Sequence, residues 1–167
     1  MYRILSLIML LLIAHAGPAA AANGERVALH RDWGAYVGKW TSGKVCFALS
    51  EPKSSKPRDV SRGPIYFYVT RWPGDKASGE ISIKFGYPLR PSVAPEITIG
   101  KNKFKLFSKD EAAFIESIET EKRLIKAMEG GASMIVHGRS QRGTLTTDRY
   151  SLKGVTAVLK RIAKDCP

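Results

Sequence analysis

The chain has 167 residues, 27 Lys and Arg against 15 Asp and Glu, and a formal charge of +12 with histidine neutral. That length is one domain's worth, enough to bury a single core without internal repeats or a dense set of staples. So basic a balance points to anionic partners, and which ones depends on the compartment.

The compartment is readable from the first residues. Arg3 precedes a run from Ile4 to Ala14 that is apolar except for Ser6, followed by small residues ending Ala20-Ala21-Ala22-Asn23. Charge, apolar core and small-residue site in that order define a secretory signal peptide, so residues 1–22 read as a leader and residues 23–167 as the mature domain. The apolar run is about half of the roughly 20 residues a bilayer-spanning helix needs, so no retained transmembrane helix is expected. Loss of Arg3 takes the mature charge from +12 to +11. Outside the cytoplasm, anionic lipid head groups, acidic glycans and acidic protein surfaces replace nucleic acid as the expected partners.

Cys46 and Cys166 are the only cysteines. An oxidising compartment favours pairing an even number of them, which predicts one disulfide that clasps the C-terminus onto the fold. With His30 and His137 they could supply four zinc ligands, but no short ligand spacing is present, and no metal or cofactor is expected.

In chain order, the segments around Asp32–Val37 and Lys44–Leu49 read as two strands joined by a turn at Gly43. From Glu51 to Gly63 the sequence becomes a polar loop with Lys53, Lys56, Arg58 and Arg62, a candidate surface for an anionic partner. Ile65–Thr70 is apolar or aromatic at both parities, which suits a central strand with both faces occupied. Around Ile81, Ile83 and Phe85, and around Ile97 and Ile99, apolar and polar residues alternate, as in half-buried strands. Lys103–Phe107 completes a hairpin with the Ile97 strand through Gly100, Lys101 and Asn102. Lys84, Lys103 and Lys105 share the polar parity of their strands, so one sheet could present them as a single basic patch. Trp72, between a strand and Pro73-Gly74, is a candidate aromatic contact.

Two segments break the strand pattern. Thr120 can cap a helix whose Leu124, Ile125 and Met128 share a face, with Gly130-Gly131 as a left-handed stop. Val155, Val158, Leu159 and Ile162 recur at helical spacing near Cys166. Between these helices, residues 133–140 and 144–151 form a further strand pair around Gln141-Arg142-Gly143. The fold class is therefore mainly β: an antiparallel sandwich or barrel-like domain with two short helices.

Catalytic chemistry is weakly signalled. Gly138-Arg139-Ser140-Gln141-Arg142-Gly143 has one residue too many for a nucleophile elbow and joins strand to strand, whereas the elbow needs a strand-to-helix turn. A hydrolase would use Ser140 with His137, yet these lie an odd number of positions apart and face opposite sides of one strand. Asp148 reads as half of a buried ion pair or as a cap, and Asp110-Glu111 as a solvated turn.

Several blocks together resemble the invasion-associated locus B (IalB) family: Asp32-Trp33-Gly34, Val45-Cys46-Phe47-Ala48-Leu49-Ser50-Glu51-Pro52, Arg62-Gly63, Gly86-Tyr87-Pro88-Leu89, and Gly138-Arg139-Ser140-Gln141-Arg142-Gly143-Thr144 running into Thr147-Asp148-Arg149-Tyr150-Ser151-Leu152-Lys153-Gly154, with a terminal Cys166. The resemblance implies an exported or periplasmic bacterial protein, from a family named for its part in host-cell invasion. It brings no catalytic residue set. The expectation is thus a non-enzymatic periplasmic or secreted binding module, acting in invasion or envelope integrity. Its partner would be an envelope or host-surface component such as an anionic lipid or glycan. The alternatives are a small periplasmic hydrolase and an inhibitor or chaperone-like partner of another exported protein. The last of these would show an exposed aromatic patch in place of a basic one.

Overall fold

A computed structural model describes residues 24–41, 43–74 and 79–167. The expected leader lies outside them. In chain order the elements are β1 (Gly24–His30), β2 (Trp33–Trp40), β3 (Gly43–Ser50), β4 (Ser54–Lys56), β5 (Tyr66–Arg71), β6 (Glu80–Lys84), β7 (Glu96–Ile99), β8 (Asn102–Lys105), β9 (Phe107–Lys109), β10 (Ala112–Phe114), α1 (Ile118–Gly130), β11 (Ser133–Arg139), β12 (Leu145–Ser151) and α2 (Val155–Asp165). They form two antiparallel sheets, a seven-stranded one in the order β1-β2-β3-β5-β6-β10-β9 and a five-stranded one in the order β4-β12-β11-β7-β8. The mainly β fold with two helices is as expected, and of the two architectures the open sandwich is the one realised.

The interior follows strand parity. Trp33 and Ala35 of β2, Cys46 and Ala48 of β3, Phe67 and Val69 of β5, and Ile81 and Ile83 of β6 all point inward. They meet Ile97, Met134, Val136 and Tyr150 of the smaller sheet. Val155, Val158, Leu159 and Ile162 carry α2 into the same core. β5 takes the fourth of seven places in its sheet, so the strand with both parities apolar is indeed central. Cys46 and Cys166 are joined, fastening the end of α2 to β3 across 120 positions.

Several local expectations change. β1 carries no clean alternation, because a register shift between Arg26 and Ala28 interrupts its pairing with β2. Lys103–Phe107 is not one strand: β8 ends at Lys105, and after the buried Leu106 the chain crosses to the larger sheet as β9. Asp110, with φ 52°, turns the chain into β10. Ser117, not Thr120, caps α1, accepting a hydrogen bond from the Thr120 backbone N–H. Gly131 ends that helix in extended geometry rather than a left-handed one, and its lack of a side chain serves packing. A Cβ there would stand 2.8 Å from Ile99 and 2.9 Å from Leu152. Gly154 does need positive φ, at 95°, and a Cβ would fall 1.9 Å from the His30 carbonyl oxygen.

Candidate functional site

The segment 51–63 is a strap rather than a free loop. Ser54–Lys56 adds a strand to the edge of the smaller sheet, opposite Thr147–Arg149. At one end Lys53 pairs with Asp32, holding that carboxyl below its ordinary value, chiefly through the hydrogen bond from Lys53. At the other end Arg62 enters the interior. Its Nη1 and Nη2 donate to Asp148 Oδ1 and Oδ2 at 2.7 and 2.8 Å, and Nη2 and Nε reach the Phe85 carbonyl at 2.9 and 3.2 Å. The guanidinium carbon also sits 4.9 Å from the centroid of the Tyr87 ring. Arg62 is therefore an interior residue and not part of a surface for anions, because its charge is spent on a fully buried carboxylate. Asp148 is half of an ion pair, as its sequence context suggested.

Around that pair the most specific sequence blocks converge. Arg62-Gly63, Gly86-Tyr87-Pro88 and Ser140-Gln141-Arg142 line one polar cleft of about 710 Å³. Gly63 donates to the Gly86 carbonyl at 2.9 Å, an approach that a Cβ on Gly86 would block at 2.4 Å. Tyr87 Oη lies 2.6 Å from Thr146 Oγ1, and burial raises the Tyr87 phenol above its ordinary value. Ser140 Oγ accepts from the Thr144 backbone N–H at 3.1 Å. His137 is on the other side of β11, its Nδ1 3.1 Å from Thr147 Oγ1. The structure thus does not bring Ser140 and His137 together, and Arg62, Tyr87, Thr146 and Ser140 in this cleft are each bonded to other residues.

The three lysines expected on one sheet are split. Lys84 belongs to the seven-stranded sheet, opposite Tyr66 and Ala112, whereas Lys103 and Lys105 belong to the five-stranded one. Parity gives the face of a strand and not its sheet, which is why the single patch does not form. Lys103 is moreover bonded to Glu96 at 3.0 Å, holding that carboxyl below its ordinary value. Lys53, Lys56 and Arg58 remain on the strap.

A different surface emerges from the outward parity of the larger sheet. Tyr36 and Phe47 stack with centroids 5.1 Å apart and planes 3° apart. Phe47 meets Tyr68 at 6.0 Å, Tyr68 meets Tyr66 at 5.9 Å, and Phe107 stacks on Phe114 at 5.6 Å. Burial among neighbouring phenols pushes the Tyr68 hydroxyl up to about 12, with burial the larger cause. Trp40 projects from this face with 61% of its surface exposed. Trp72 stands half-buried across from it, and together with Phe47, Tyr68 and Phe114 they enclose a hollow of about 490 Å³. Thr70, Glu80 and Ser82 supply its polar lining. Trp72, the aromatic candidate of the sequence, lies in the lining of this hollow; the rings around it were not legible, because parity alone does not say which face of β5 meets the core. Among the described residues no group of three or more His, Cys, Asp or Glu could hold a metal ion.

The outer face of the five-stranded sheet is mostly polar, carrying Glu96, Thr98, Lys103, His137, Thr147 and Arg149 along its ladders, with Ile135 and the exposed Leu145 among them. The sandwich is therefore two-sided, mostly polar behind and aromatic in front.

The arrangement defines a class: a basic two-sheet sandwich whose C-terminal helix is clasped by a disulfide, with the aromatic surface outside its larger sheet. The crystal structure of invasion associated protein B from Bartonella henselae has a similar fold, with a TM-score of 0.58 and 14% sequence identity over 86% of this chain and 97% of that one. At that identity the likeness shows the fold. No family model matches the chain, and no curated protein matches it.

Proposed function

We propose that this protein is a non-enzymatic, exported binding module of the invasion associated protein B type, and that it docks its partner on the aromatic outer face of the larger sheet. The observation that carries this reading is the sidedness of the sandwich. A solvated antiparallel sheet ordinarily keeps its outward parity polar, and a contiguous set of outward rings is the mark of a surface that binds. Trp and Tyr are the residues that concentrate binding energy in such surfaces. The disulfide and the leader-like first residues support work in the envelope or beyond it, where invasion or envelope upkeep would be the setting. Among the described residues no helix is long and apolar enough to cross a membrane.

The test is capture from fractionated bacterial envelope and host-membrane extracts by the oxidised mature protein, at low and high salt. The Trp40→Ala/Trp72→Ala protein and a protein with Lys53, Lys56 and Arg58 neutralised are run beside it. The reading expects specific capture that survives salt and is lost in the tryptophan variant. Capture abolished by salt or by strap neutralisation, but kept by the tryptophan variant, would return the function to the basic residues and overturn it.

A further inference from the structure

We infer that the hollow between Trp40 and Trp72 is a saccharide subsite, taking one pyranose ring of a neutral glycan. This inference rests on the binding reading above and names its ligand class. Three observations select the chemistry. The volume, about 490 Å³, lies within the range of small-ligand pockets. Its lining includes the aromatic side chains of Trp40, Tyr68 and Trp72, a residue type whose ring faces take up flat apolar C–H surface. Its lining also carries Thr70, Glu80 and Ser82, and none of these side chains is engaged by another described residue.

That mixture decides between ligands. An acyl chain filling the hollow would strip water from the two hydroxyls and crowd the Glu80 carboxylate without replacing their hydrogen bonds, which costs free energy for each. An anionic head group would meet Glu80, the exposed carboxylate in the lining of the hollow, and gain nothing from it. A small, wholly polar solute would leave the rings unused. A pyranose ring satisfies both halves at once: its axial C–H face packs on the indoles, and its equatorial hydroxyls donate to Glu80 and exchange hydrogen bonds with Thr70 and Ser82. The cross-strand pairs Thr70↔Glu80 and Tyr68↔Ser82 put the polar groups and an aromatic wall side by side on β5 and β6. Trp40, at the end of β2, faces them from across the sheet.

The experiment is a titration of the oxidised mature protein with three neutral trisaccharides, chitotriose, cellotriose and maltotriose, read by the indole N–H signals in a proton–nitrogen correlation spectrum. At least one is expected to shift the Trp40 and Trp72 indoles saturably in the millimolar range while leaving buried Trp33 unmoved. Trp40→Ala and Trp72→Ala should each weaken that saccharide by about threefold to tenfold. Glu80→Gln, which keeps the shape of the side chain and removes an acceptor charge, should weaken it without altering the thermal midpoint. No saturable shift from any of the three sugars overturns the inference. If the sugars fail while envelope capture is still lost in the tryptophan variant, the saccharide assignment falls and the docking reading stands. If capture also survives in that variant, both fall.

Discussion

Arg62 and Asp148 show how much one residue can decide. The arginine comes from a segment with every compositional mark of a solvent loop, yet its guanidinium makes a two-pronged bond to a carboxylate with no exposed surface. Removing one partner leaves the other charged in the interior. Asp148→Ala should therefore destabilise the fold by about 3–5 kcal/mol in urea unfolding, while Arg62→Met/Asp148→Leu should recover much of the loss, because it buries no orphaned charge. Asp32 and Glu96 make a milder prediction. Both are held below their ordinary values of 3.8 and 4.5 by lysine partners, so the folded state keeps them ionised where the unfolded chain binds protons. Their contribution is complete above those values and disappears as the pH falls through the depressed folded values. The urea midpoint should drop between about pH 5 and about pH 3, and Lys53→Ala/Lys103→Ala should flatten that drop. An unchanged slope in the double variant would show that other carboxylates govern acid unfolding.

Among the elements, α2 depends most on a single covalent tie. It begins at Gly154, wedged against the His30 carbonyl, and ends at Cys166, whose carbonyl accepts from Arg71 Nε at 2.6 Å. The disulfide closes a loop of 120 positions, for which chain entropy gives about 4–5 kcal/mol. Cys166→Ser should lower the thermal midpoint by roughly 10 °C, and reducing the native protein should lower it equally. Overlapping melts of oxidised and reduced protein would show that helix packing alone holds this end. The strap belongs to the same scale. Its strand Ser54–Lys56 and its two ion pairs fix the segment at both ends, so polar composition marks a ligature here, not mobility.

At the scale of the molecule, what was legible in the sequence and what was not divide along a physical line. Side-chain period revealed β5, β6, β7, β11 and β12, and helical spacing revealed both helices, because those signals are local. The Cys46–Cys166 pairing followed from their number and the compartment. β1 was hidden by its bulge, and β9 and β10, three residues each, are too short to carry a period. The assignment of strands to sheets was hidden for another reason. The chain changes sheet at Leu106, within what reads as one continuous strand, and nothing in the alternation records the crossing. That crossing separates Lys84 from Lys103 and Lys105. It also lays β9 and β10 beside β6, bringing Phe107 and Phe114 to the aromatic side. The candidate site was correspondingly half visible: Trp72 stood out, whereas its neighbours became a surface only once the sheet was assembled.

The two-sided sandwich also fixes a valency. If the partner docks on the aromatic face, as proposed, each copy of the domain holds one ligand there, because the back face among the described residues is mostly polar. On that reading it would coat a surface, mask a site or deliver itself to a target, and a single copy would not gather particles or cells into clumps. Its action would therefore be one of occupancy rather than of cross-linking.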